Sequence, residues 1–282
     1  MARVPCLIMT PHSSGHIPFN ILADMLGEAV YDTEAVKERL EYLFVEGDPY
    51  TDALFYTEEA THVHAQISRF VVDLNRSRDS GGLNGVIKIT DFGGNPLYQN
   101  NFRFSEKRIG ERLSRFYDPY HNTLDRMLAK PDIMFFIDGH SMTPVGPVIG
   151  PDSGRPRPAF TIMTGGDENG NPHSEAEHIS MPARLALEVQ ELLWLHFKDL
   201  IADSDVPQEI LINAPFSRGG TIARLSDPNY KGKKLGFGIE FNRALYLEEN
   251  DKDPIKGRIS RLNKCYQAFM RGCADAIIRH KS

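Results

Sequence analysis

Four stretches of the sequence set histidine, carboxylate or arginine where an apolar run stops. LIMTPHSSGHIP, residues 7–18, carries His12 and His16 just past a strand-like segment. FVVDLNRSRD, residues 70–79, delivers Asp73, Asn75, Arg76, Arg78 and Asp79. In IMFFIDGHSMTP, residues 133–144, Asp138 and His140 stand two apart, so on an extended chain both project to one side. In GFGIEFNRALY, residues 236–246, Glu240 interrupts an apolar strand, where a carboxylate is costly unless paired or coordinated. Two histidines and a carboxylate around an open coordination position, with a further carboxylate to carry a proton, are what a catalytic zinc hydrolase needs. The open position would take a water whose pKa the metal lowers toward about 7.

Simpler readings stand beside this one. His12, following Pro11, reads equally as a turn residue bonding nearby backbone, and Asp138 with His140 as a structural hydrogen-bonded pair. His16 is a candidate pocket residue, and because Pro11 and Pro18 frame a turn, its spacing from His12 has no helical meaning. His62 and His64 in THVHA have a metal-site spacing but no carboxylate close by in sequence, so they read as a solvated or hydrogen-bonded strand face. DGHS is not a G-x-S-x-G elbow, which leaves Ser141 a minor candidate nucleophile.

These residues need a scaffold of strands and helices. Short apolar runs ended by turn residues predict strands at 6–10, 62–67, 70–74, 133–138, 159–164, 209–212 and 236–242. Several are apolar throughout, as strands covered on both faces are. Helical periodicity predicts helices at 33–45, 105–129, 181–201 and 256–279, with Pro119 kinking or dividing the second. Alternating strands and helices predict an α/β fold, a mostly parallel sheet under helices on both faces. Ligands in such sheets bind at the carboxyl ends of the strands, where the polar residues above fall.

Composition narrows the function. With 41% apolar and 25% charged residues and no linker-like tract, the 282 residues read as one domain, 1–282. A net charge of −6, with 32 basic residues spread along the chain, argues against a nucleic-acid partner. No run approaches a membrane span and residues 1–10 do not read as a signal peptide, so a cytoplasmic location is expected. Cys6, Cys265 and Cys273 lack a Cys-x-x-Cys pair, which argues against a disulfide framework or a thiolate zinc site.

The chain also resembles the N-formylglutamate amidohydrolases, themselves similar to zinc carboxypeptidases. Eight blocks carry the likeness in order: PHSSG, DPYTDALF, SRFVVDLNR, NPLY, PYHNTL, IDGHS, NAPFSRGGTIAR and IEFNRALYLEE. The resemblance implies a three-layer α/β/α fold around a central mixed, mostly parallel sheet of the zinc-carboxypeptidase kind. It implies one divalent ion, zinc, held by His12, Asp48 and His140. Asp48 also reads as the N-cap of the helical stretch that follows it. Glu240 would be general base and then acid, and Asp138 would orient an imidazole or bond the metal's water. Asn75, Arg76, Arg224 and Arg69 would hold the substrate's carboxylates, which guanidinium grips bidentately. Gly219 and Gly220 would let the backbone approach the ligand or turn sharply. The implied reaction is cleavage of N-formylglutamate, or a similar short N-acyl amino acid, to formate and glutamate. Carboxypeptidase-like cleavage, removal of larger acyl groups, and amino-acid binding without turnover are the alternatives. Segment 143–178 matches the family pattern least and is expected to shape the pocket mouth.

Overall fold

The structure is a computed structural model that describes residues 3–99, 102–250 and 252–281. Its six strands are β1 (Cys6–Thr10), β2 (Thr61–His64), β3 (Phe135–Met142), β4 (Phe160–Met163), β5 (Ile210–Ile212) and β6 (Leu235–Asn242). They form one sheet in the order β2-β1-β3-β6-β4-β5. Every neighbouring pair is parallel except β4 with β6, so the sheet is mixed and mostly parallel.

Alternation along the strands divides the core into two layers. Cys6, Ile8, Phe135, Ile137, Phe237, Ile239 and Phe241 face helices α6 (Ala183–Ala202) and α8 (Arg258–Lys281), with the short α3 (Thr51–Phe55) beside them. Leu7, Met9 and Phe136 face the opposite layer. That layer includes α1 (Phe19–Leu26), α2 (Thr33–Glu46), α5 (Asp118–Leu128) and α7 (Gly220–Ser226). Asp138 and His140 share the parity of Phe136, so they lie on this second face. In the β3–β6 register His140 sits directly opposite Glu240.

One expectation is corrected. Residues 70–74 are not a strand: Phe70, Val71, Val72, Asp73 and Leu74 are all buried, but their backbone runs in turns. Val71 N–H bonds Ser68 O and Asp73 N–H bonds Val86 O, so burial here comes without a ladder. The region 105–129, expected to be kinked or divided at Pro119, is divided. It comprises α4 (Glu106–Arg112), a π-helical turn over Leu113–Tyr117, and α5, with Pro119 in its first turn where a missing N–H costs nothing.

Candidate metal centre and active site

His12 stands just past the end of β1, His140 within β3, and Asp48 in the turn between α2 and α3. Asp48 is brought in by its backbone, whose N–H donates to His12 O at 3.3 Å. Asp48 Oδ2 lies 3.4 Å from His12 Nδ1 and 3.0 Å from His140 Nδ1. One ligand-type atom from each of the three falls within 4.8 Å of the others, and all three residues are buried. His12 Nδ1 has no hydrogen-bond partner. A buried nitrogen lone pair facing only a carboxylate is a group that a divalent cation would satisfy, so this donor set fits zinc.

Each imidazole is backed on its far side by a buried carboxylate. His12 Nε2 is 2.8 Å from Asp73 Oδ1, and His140 Nε2 is 3.1 Å from Asp138 Oδ2. Burial disfavours charge on His140, but Asp138 and Asp48 outweigh it and hold that imidazole well above its ordinary pKa. Burial opposes ionisation of Asp48 too, yet His12, His140 and Arg69 keep its carboxyl well below the usual range. Glu240 goes the other way: burial and the nearby Asp48 push it up to about 7 against the pull of His140. Two carboxylates in one site thus separate into a permanent anion and a group that exchanges protons near neutrality.

His12, Asp48, His140 and Glu240 line a cavity of about 550 Å³. Asn75, Arg76 and Arg69 line it, and so do Arg218, which stands where the family pattern has a lysine before the double glycine, and Arg157 and Arg243, which carried no expectation. Phe92, Ile149 and Phe216 supply apolar wall. Thr143, Pro147, Ile149, Gly150, Pro151 and Arg157, from segment 143–178, also line it.

Several expectations are revised. Arg224 is not among the cavity-lining residues; it pairs with Asp125 at 2.6 Å and lies over the Tyr230 ring. Arg69 is already engaged by two carboxylates, Asp48 at 3.2 Å and Asp73 at 2.9 Å, so it is no free substrate clamp. Asp48 caps no helix with its side chain, since the N-cap of α3 is Tyr50. The double glycine lines the cavity and also packs closely against protein. A Cβ on Gly220 would stand 2.7 Å from Arg76 N, and its absence lets Gly220 N–H and Thr221 N–H bond Asn75 O and Oδ1. His16 is exposed and outside the cavity lining. His62 bonds Thr57 O and stacks on Tyr56, while His64 is exposed.

Asp73 and Lys88 are the functional candidates that sequence reading left without a role. Lys88 lies in VIKIT, residues 86–90, and a lysine inside an apolar run was the available signal. The cysteines have no part here: burial pushes the Cys6 and Cys273 thiols up, which removes the thiolate a nucleophile needs.

Fold and site together define an α/β protein with a buried His–Asp–His group, and a separate carboxylate beside it, at the carboxyl ends of central parallel strands. The chain belongs to the N-formylglutamate amidohydrolase family, whose model matches residues 4–247. It is 33% identical over 135 residues to the N-formylglutamate deformylase of Pseudomonas aeruginosa, covering 45% of this chain and 47% of that one. It is 38% identical over 76 residues to a Pseudomonas putida protein of the same name, covering 25% and 28%. These matches therefore span about half or less of the curated relatives' length. Among solved structures, an N-formylglutamate amidohydrolase from Ralstonia eutropha JMP134 superposes with a TM-score of 0.68 at 19% identity. That superposition covers 99% of this chain and 96% of the other, and supports the fold alone. Among the described residues no helix is long and apolar enough to cross a membrane.

Proposed function

We propose that the protein is a zinc-dependent amidohydrolase acting on short N-acyl amino acids, with N-formylglutamate as the substrate its relatives' names suggest. The observation that carries this reading is His12 Nδ1, His140 Nδ1 and Asp48 Oδ2 converging in the lining of a cavity, with Glu240 opposite His140 on the next strand. A zinc ion bound by those three residues would supply Lewis-acid polarisation of the scissile carbonyl and acidify a nearby water.

The chain's own groups supply the rest. Glu240, near neutrality in pKa, takes a proton from the attacking water and returns it to the departing amine nitrogen as the carbon–nitrogen bond breaks. Formate and the free amino acid are the products. Arg76 presents a planar donor fork for the substrate's carboxylate, and Asn75, bonded to the backbone of α7, fixes the segment that carries it. The apolar wall excludes water around the reacting centre and strengthens these polar contacts. The family matches across 244 residues and the ligand geometry both support catalysis over simple binding.

Purified protein supplied with zinc is expected to release formate from N-formylglutamate, tested beside acetyl and succinyl amino acids and short peptides. Glu240→Gln is expected to lower kcat by about 10²–10⁴-fold while leaving bound zinc in place. Turnover of peptides with none of acyl amino acids would favour the carboxypeptidase-like alternative. Tight amino-acid binding without turnover, unaffected by Glu240→Gln, would favour a binding protein.

A further inference from the structure

Lys88 is 1% exposed, and its ammonium meets Asp73 Oδ2 at 3.2 Å and Asn84 Oδ1. Lysines are almost never this buried unless paired. Arg69 Nη2 bonds the same Asp73 oxygen at 2.9 Å, while the other oxygen, Oδ1, accepts from Asn75 N–H at 3.0 Å and faces His12 Nε2 at 2.8 Å. Asp73 itself is fully buried. Lys88 is absent from the cavity lining and lies 5.5 Å from the ring of Phe92, which does line it.

We propose that Asp73, clamped by Arg69 and Lys88, is the positioning residue of the metal centre, fixing His12 as the Nε2–H tautomer with its Nδ1 lone pair aimed between Asp48 and His140. This rests on the reading of His12, Asp48 and His140 as a metal site. A carboxylate accepts and cannot donate, so the 2.8 Å contact places the imidazole proton on Nε2. That leaves Nδ1 bare, in agreement with its lack of a hydrogen-bond partner. Four contacts on its two oxygens prevent Asp73 from rotating toward the metal and competing as a ligand. Lys88 and Arg69 supply the positive charge that makes a carboxylate tolerable at this depth. Carboxylates behind metal-bound histidines commonly account for 10–100-fold in metal affinity.

Zinc affinity, measured by competition with a chromophoric chelator, is expected to weaken 10–100-fold in Asp73→Asn. Lys88→Met is expected to weaken it in the same direction. The double variant should be no weaker than Asp73→Asn alone, since Lys88 acts through Asp73. Folded variants that bind zinc as tightly as the wild type, or losses that simply add, would overturn the proposal. Nitrogen-15 spectra of the zinc-loaded wild type give a second test that needs no variant. His12 protonated on Nε2 and metal-bound through Nδ1 supports the proposal, and the reverse overturns it. A wild type that binds no zinc would sink the metal reading itself, and this proposal with it. Tight wild-type binding with unmoved variants would sink the proposal alone.

Discussion

Arg76 differs from Arg69, Arg157 and Arg218 in its partners. Arg157 grips Asp152 with two bonds, Arg218 has Glu177 at 3.5 Å, and Arg69 is shared between Asp48 and Asp73. The Arg76 guanidinium bonds Asn75 O, Asn84 O and Asn84 Oδ1, all neutral, so its charge is available to an incoming carboxylate. Arg76→Lys keeps the charge but loses the planar fork. An expected rise in KM of about 10–100-fold follows from losing charge-assisted bonds of about 1.5–3 kcal/mol, and steady-state kinetics would check it. His12, His140 and Glu240 were legible as candidates because each is polar where an apolar strand ends or is interrupted. Asp48 was not, because nothing local distinguishes a ligand in a turn from a cap. It entered only through the family resemblance, and tertiary geometry then placed it against both imidazoles. Arg224 failed for the opposite reason: its block matched, but its own neighbourhood offered Asp125 as a nearer anion.

Strands β1, β3 and β6 lie close to their expected positions because their apolar runs are continuous and bounded by turn residues. The run at 70–74 carried the same signal and folded differently, since its hydrogen bonds go to Ser68 and Val86 rather than to a neighbouring strand. Helices α1, α3 and α7 are short enough for periodicity to miss them. Helix α7 nonetheless borders the cavity through Gly220 and Ala223, and its first turn bonds Asn75. Gly220→Ala would press a methyl carbon onto backbone at Arg76, and a loss of about 1–3 kcal/mol together with a raised KM is expected from denaturation and kinetics. Helix α5 contributes a pH dependence. His121 bonds Leu74 O through Nε2 and meets Arg224 through Nδ1, and burial and that cation push it down to about 4. Its unfolded pKa is about 6.5, so between those values the unfolded chain takes a proton that the folded protein refuses. Stability should therefore fall as pH drops from about 6.5 to about 4, by at most about 3 kcal/mol from this residue. His121→Gln should flatten that slope in urea titrations repeated across the range.

The whole molecule is organised to bring residues 12, 48 and 140 to one point. Two apolar layers hold the sheet rigid from both faces, and the central strands β1, β3 and β6 end at the same edge of it. Asp48, Asp73 and Asp138 are buried there with Glu240 beside them, and Arg69 and Lys88 pair with two of the four. Because ligands so far apart in sequence converge only in the folded state, activity and metal should be lost and regained together. The direct measurement is formate release from N-formylglutamate before chelation, after dialysis against a strong chelator, and after zinc is restored. The expected result is activity that falls to background on chelation and returns with about one zinc per chain. Undiminished activity in verified metal-free protein would contradict it.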